Sequence, residues 1–350
     1  MCLRFFVYQI SKWSSPLTLF STTHLLFRVC FERPLCWNAA MLRIGLISAA
    51  TYQYGDQPLR HGSHHGTAFA STFNGYDESI AKAHDWTFVR AKKGIEGAKV
   101  TRVWDKHRTW AEHLSKACHI PTVCETPEEA CEDIDVAIIV DDGSGTQAKY
   151  AKHPLQTGIP TFCDKPLAMT AGKAREMSTF ARNTGTPFMS ASSLRFVPDI
   201  LKLKDQLPSL GPVSLAQTIC GNDLIYYGIH ALSMAYAVLG PGAVSAVNVG
   251  EEGRNIVRIR FEGGRDVVLL VAEREQMRAG YQISLYGKKG WSTVTPNLKD
   301  LYWYLLMAFL NDVQSGKESV PIEEEVELIS ALEAGKRSLE QQREVLLSEL

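Results

Sequence analysis

The chain has 350 residues, 45% hydrophobic and 21% charged, with a formal net charge of -1 at pH 7, which is the make-up of a globular protein long enough to build two cores. A balance this near neutrality offers no electrostatic footprint for nucleic acid, and no apolar run reaches the roughly 18 residues of a membrane span. The eight cysteines, at 2, 30, 36, 118, 124, 131, 163 and 220, form no Cys-x-x-Cys pair and no Cys/His ligand spacing. They predict reduced, buried thiols in a cytoplasmic protein and argue against a zinc site or a disulfide framework.

Residues 1–40 carry Arg4, Lys12, Arg28 and Arg33 against the single acid Glu32, with no sustained apolar period. Lys12 and Ser14-Ser15 interrupt any signal-peptide core, and an organellar transit segment fits the acid-poor composition better. The preferred reading is a non-structural extension ahead of Met41, where Leu42-Arg43-Ile44-Gly45-Leu46-Ile47 opens a first strand.

From there the segments 42–49, 66–73, 99–104, 109–118, 136–140, 146–156 and 161–163 alternate between strand-like apolar runs and helix-like stretches. Strands this continuously apolar predict a doubly wound parallel sheet covered by helices on both faces. The first βα turn, Ser48-Ala49-Ala50-Thr51, lacks the Gly-x-Gly-x-x-Gly pattern of dinucleotide sites. A long loop then reaches Arg60-His61-Gly62-Ser63-His64-His65-Gly66. Ser63 or His64 is the expected N-cap, and the helix start beyond it can hold a pyrophosphate through backbone N–H groups. A bare surface loop is the alternative. A metal on His64 and His65 is disfavoured, because adjacent histidines diverge and no carboxylate or cysteine completes a set.

Asp105 ends the second strand of this pattern, where a carboxylate accepts hydrogen bonds from the adenosine ribose and repels a 2′-phosphate. That favours NAD over NADP, although Lys106 and Arg108 leave NADP open. Asp141-Asp142-Gly143 ends the next strand. Consecutive side chains diverge there, so one carboxylate is expected to cap the following helix instead of forming a catalytic pair. Phe162-Cys163-Asp164-Lys165-Pro166 then places one ammonium at a strand end, and Pro166 biases Lys165 towards an extended backbone. In open α/β sheets ligands bind at that edge, although a turn lysine is ordinarily only solvated.

The second half predicts strands at 213–219, 243–249, 255–261, 266–272, 282–286 and 291–295, several joined by Gly-containing turns at hairpin distance. Helices follow at about 298–315 and 323–347, the latter led by Glu323, Glu324 and Glu325 as the helix dipole favours. This is an α+β domain on a mostly antiparallel sheet. Within it lies Tyr226-Tyr227-Gly228-Ile229-His230; a lone histidine in such an apolar helix is ordinarily a core residue.

The succession of 43–47, 135–140, 157–168 and Leu194-Arg195-Phe196-Val197-Pro198 resembles the glucose-fructose oxidoreductase / inositol dehydrogenase (Gfo/Idh/MocA) family over residues 42–350, most specifically at Asp164-Lys165-Pro166. The resemblance implies an N-terminal Rossmann-type domain at 41–193 and a C-terminal substrate and oligomerisation domain at 194–350. It implies NAD(P)-dependent hydride transfer on a hydroxyl or carbonyl of a sugar, cyclitol or related small molecule, in a homodimer or homotetramer formed through the second sheet.

Lys165 would steady the reacting oxygen, His230 or Tyr226 would move the proton, and Ser48, Ala49, His64, His65, Asp105, Asp142, Asp164 and Lys165 would line the cofactor. Arg195 would support the domain junction. Gly228 and His230 stand in the family's places. Tyr226 stands where the family has aspartate, Gln147 where it has a helix histidine, and Asp142-Gly143-Ser144 where it has Thr-Pro-Asn. A phenol cannot hold an imidazolium as a carboxylate does. The rival reading is a non-catalytic sensor that binds nucleotide or sugar without turnover.

Overall fold

The computed structural model describes residues 41–54, 57–143 and 145–350, so the readings made on residues 1–40 and on Ser144 lie outside the described residues. The first sheet takes strands β1 (Leu42–Ile47), β4 (Ala98–Trp104), β5 (Thr122–Val123), β6 (Val136–Ile139), β7 (Thr161–Cys163) and β8 (Phe188–Ser190). Their order is β5-β4-β1-β6-β7-β8, every neighbour parallel. Chain order reverses on either side of β1, which creates the switch-point crevice where ligands of such sheets bind. β6 is Val-Ala-Ile-Ile with all four side chains buried, as a central strand covered on both faces requires.

Between β1 and the first helix the chain inserts a small hairpin, β2 (Thr51–Tyr52) with β3 (Arg60–His61), which no periodicity in the sequence announces. The helices of this half are α1 (His64–Asn74), α2 (Glu78–Ala83), α3 (Arg108–Ala117), α4 (Gln147–Gln156) and α5 (Ala171–Thr184). α1 starts where its cap predicts: Ser63 Oγ accepts the Gly66 N–H at 2.8 Å. Gly66 is required, because a Cβ there would stand 1.9 Å from the Ala49 carbonyl oxygen.

A short helix, α6 (Pro198–Asp205), leads into the second sheet, built from β9 (Val213–Gly221), β10 (Ala243–Asn248), β11 (Arg254–Phe261), β12 (Asp266–Ala272), β13 (Gln282–Gly287), β14 (Gly290–Val294) and β15 (Val345–Leu346). The order is β14-β13-β9-β12-β11-β10-β15. Its pairs are antiparallel except β9 with β12. The helices α7 (Gly228–Leu239) and α9 (Ile322–Gln341) pack on one face, where Val257, Ile259, Phe261, Val267, Leu269 and Val271 are buried. At about 25 cal/mol per Å² of apolar area removed from water, each such side chain stabilises by roughly 2 kcal/mol.

α8 (Leu301–Ser315) returns to α1, its Trp303 donating to the Gly94 carbonyl at 3.0 Å. The predicted helix 323–347 ends early. Gln342 turns left-handed at φ 52, and the following residues add β15 to the sheet edge.

All described residues fall within one compact unit. No helix among them is long and apolar enough to cross a membrane. Their five cysteines are free and buried.

Candidate active site

Lys165 leaves the carboxyl end of β7 and is 2% exposed. Its peptide bond to Pro166 is cis. The ammonium lies 3.7 Å from the centroid of the Tyr226 ring and donates to the Tyr226 carbonyl at 3.4 Å. A desolvated cation over an aromatic face gains about 2 kcal/mol, well short of what burying an ammonium costs. Burial accordingly lowers the Lys165 pKa from its ordinary value, while Asp164, Asp142 and Asp223 oppose that shift. The solvated-turn alternative for Lys165 therefore fails.

Asp142 is the hub of the polar cluster. It accepts from the Tyr226 hydroxyl at 2.6 Å, from Ser63 Oγ at 2.8 Å and from the His65 backbone N–H at 3.3 Å. Burial alone would raise its pKa, yet His65 and Lys165, helped by the Tyr226 and Ser63 hydrogen bonds, hold it below the usual carboxylate range. Asp142 caps the preceding helix α1 and not the one that follows. Asp141 serves the latter, taking the Thr146 N–H at 2.8 Å.

Tyr226 is pushed far above an ordinary phenol by burial first and by Asp142 and Asp164 next, so it keeps its proton. His230 pairs through Nδ1 with Ser192 Oγ at 2.7 Å, and burial, then Lys165 and His65, hold its pKa well below 6.5. His65 Nδ1 meets Asp164 Oδ2 at 2.6 Å. Its ring centroid lies 6.4 Å from that of His230 and 5.1 Å from that of Tyr302.

Lys165, Tyr226 and His230 therefore come together, with Asp142, Asp164 and His65 beside them. Tyr302 and Ser192 join this group without having been singled out, because they arrive from α8 and from the segment after β8 and carry no local motif. His65, Asp142 and Asp164 also present ligand atoms within 4.8 Å of one another, so two carboxylates do reach His65, contrary to the sequence argument, while His64 diverges from it as expected. All three already share hydrogen bonds, and the Lys165 ammonium supplies a cation beside the carboxylates.

The other end of the crevice is different. Asp105 accepts from the Ala50 and Thr51 N–H groups at 2.8 and 2.9 Å and from Thr51 Oγ1 at 2.5 Å, so the carboxylate expected at a ribose ties down the first loop instead. Ser48, at φ 55, donates to Asp141 at 3.2 Å, and Ala49 packs against Gly66. Gly143, at φ +92, leaves no room for a Cβ, which would stand 2.1 Å from the Gln53 carbonyl. His64 is exposed and meets Tyr52 edge-on at 6.2 Å.

A nicotinamide cofactor fits the lysine end. Asp164 Oδ1 is buried without a hydrogen-bond partner, and so are both amide atoms of Gln147 at the start of α4, so unsatisfied polar atoms remain along this edge of the sheet. At the adenosine end the corresponding groups have internal partners, which a bound dinucleotide would exchange for its own oxygens.

A Rossmann-type parallel sheet feeding a buried lysine, beside a second, mostly antiparallel sheet, defines the fold class. Residues 62–192 match the Gfo/Idh/MocA family model, described as "Oxidoreductase family, NAD-binding Rossmann fold". The chain is 32% identical over 115 residues to D-glucoside 3-dehydrogenase of Escherichia coli, covering 27% of this chain and 33% of that protein. It is 26% identical over 166 residues to trans-1,2-dihydrobenzene-1,2-diol dehydrogenase of Bos taurus, covering 39% and 49%. The chain thus spans between a third and a half of the length of these curated relatives.

Among solved structures, a probable dehydrogenase from Thermotoga maritima superposes with TM-score 0.71 at 18% identity over 88% of this chain and 99% of that one. A myo-inositol dehydrogenase from Lactobacillus casei, in complex with NAD(H) and myo-inositol, gives 0.70 at 16% identity over 87% and 96%. These likenesses establish the two-sheet fold.

Proposed function

We propose that the chain is an NAD-dependent oxidoreductase that transfers hydride between nicotinamide and a CH–OH or carbonyl group of a sugar, cyclitol or related polyol. The observation that carries this reading is the buried Lys165 ammonium beside a carboxylate with an orphaned oxygen, at the sheet edge where such cofactors lie. Residues 41–193 would hold the cofactor and 194–350 the substrate.

A bound nicotinamide supplies the hydride chemistry. Lys165 donates hydrogen bonds to the substrate oxygen and stabilises its negative charge in a water-poor site. Asp164 and Gln147 offer their unpaired atoms to the cofactor, and the start of α1 lies towards its phosphates. Asp105 would favour NAD over NADP once a bound dinucleotide took the place of its Ala50 and Thr51 partners. His230, held neutral, orients the substrate beside Lys165. Tyr226 steadies Asp142 and does not act as a base, since its proton is committed to that bond.

Saturable quenching of NADH fluorescence, together with substrate-dependent absorbance at 340 nm (the nicotinamide band) on a panel of cyclitols, glycosides and keto-sugars, tests the reading. Activity with none of them would sink it. The self-satisfied adenosine end favours a second reading, a sensor that has kept the fold without turnover. NADH binding with no turnover anywhere on the panel is its signature.

A homo-oligomer through the second sheet is supported by the exposed Trp291, Tyr286 and Leu215. They lie opposite one another on adjacent strands, an apolar row that a partner copy would cover. The free, buried cysteines suit a cytoplasmic location.

A further inference from the structure

Resting on that reading, we propose that His65, backed by Asp164, is the group that takes the substrate's hydroxyl proton. The other groups around the Lys165 ammonium are already committed. Tyr226 donates its proton to Asp142 and is held far above the range in which a phenol ionises. Asp142 already accepts three hydrogen bonds. His230 has its Nδ1 tied to Ser192 and is a weakened base, because burial, Lys165 and His65 all disfavour its cation.

Among these groups His65 is the one with a carboxylate behind its imidazole ring. Its Nδ1 meets Asp164 Oδ2 at 2.6 Å, its side chain retains 10% exposure, and that of Asp164 retains 1%. A buried carboxylate on Nδ1 fixes the tautomer that leaves Nε2 as the lone-pair nitrogen and stabilises the imidazolium formed on protonation. Asp164 is also the immediate neighbour of Lys165, so the carboxylate that positions the proton acceptor and the oxygen-stabilising cation are joined by one peptide bond.

In the oxidation direction the hydroxyl O–H bond breaks and its proton passes to His65 Nε2, while the oxygen stays on the Lys165 ammonium. The carbinol C–H bond would break with its electron pair as the carbon–oxygen bond becomes a carbonyl, and a bound nicotinamide would supply the two-electron acceptor for that hydride. Asp164 is a positioning residue and His65 the catalytic one.

The test uses the full chain. His65→Ala should lower kcat at least about 100-fold while NADH affinity, from fluorescence titration, stays within about twofold, and added imidazole should restore part of the rate. A second readout needs no turnover: diethyl pyrocarbonate, which acylates unprotonated imidazole nitrogen, should modify His65 ahead of His230 as located by mass spectrometry. NADH should protect it, and Asp164→Asn, a second variant in case His65→Ala folds poorly, should slow it severalfold. A His65→Ala enzyme within threefold of the wild-type rate, or a His65 that resists acylation while His230 reacts, overturns the dyad alone. A wild-type chain inactive on the whole polyol panel overturns the oxidoreductase reading itself, and the dyad's role with it.

Discussion

The two ends of the crevice are made of the same residue types and behave oppositely. At the lysine end, buried polar atoms are left over: Asp164 Oδ1 and the Gln147 amide have no partner. At the adenosine end, Asp105 and the start of α1 are saturated by the chain's own loop and by Asp142. Unpaired buried groups cost about 1–3 kcal/mol each and persist where a ligand is to satisfy them. The saturated end shows how a chain without the glycine fingerprint stabilises the same turn: carboxylates bind the N–H groups that would otherwise face phosphate. In the proposed enzyme, the lysine end would thus be ready for chemistry, whereas internal hydrogen bonds would compete with the nucleotide at the other end.

Three substitutions break or sharpen that contrast. The largest effect is expected at the unsaturated end. Lys165→Met should cut turnover by roughly 10³-fold and leave NADH binding nearly intact, because the ammonium acts on the reacting oxygen. Thermal stability should rise slightly, since a buried cation is removed. An unaltered rate would show that the crevice works elsewhere.

Of intermediate size, Asp142→Asn removes a negative charge at the start of α1 but keeps its hydrogen-bonding shape. NAD(H) affinity should rise about five- to tenfold, as expected for relieving a like charge worth about 1 kcal/mol near a helix N-terminus. Equal affinities in the two proteins, measured by titration at one salt concentration, would separate the helix start from cofactor binding.

The smallest effect concerns His61, on β3 of the inserted hairpin. It stacks on Trp86 and Trp110 and lies beside His84 and His113. Burial, then His113 and His84, lower its pKa to about 4. A histidine depressed in the folded state contributes stability above its unfolded value near 6.5 that is lost as pH falls towards 4. His61→Phe should flatten the acid-side decline in Tm across that window by about 2 °C, with the neutral-pH Tm little changed. A parallel decline in both proteins would remove His61 from the account.

Much of the fold was legible because periodicity is a local property. The parallel strands β1, β4, β6 and β7, the hairpins of the second sheet and the helix bearing His230 follow from apolar runs bounded by Gly, Pro and polar turns. The hairpin Thr51–Tyr52 with Arg60–His61 was not, since two-residue strands carry no period. At the site, Lys165 and His230 could be found from their strand end and helix. The partners of Asp105 and Asp142 could not, because they come from separate segments 54 to 84 residues away in sequence. The strand-end positions of these acids predicted ligand contacts, and tertiary hydrogen bonds claimed them instead.

The central claim is that the lysine end performs hydride transfer on a polyol with a nicotinamide cofactor. Its most direct test is a single-turnover experiment with stoichiometric NAD⁺ and a cyclitol carrying deuterium at the carbinol carbon, read by absorbance at 340 nm and by mass spectrometry of the reduced cofactor. The account predicts that the wild-type chain forms NADH carrying one deuterium and that Lys165→Met binds NAD⁺ but forms almost none. No deuterated NADH from the wild-type chain with any polyol, or equal amounts from the two proteins, would contradict it.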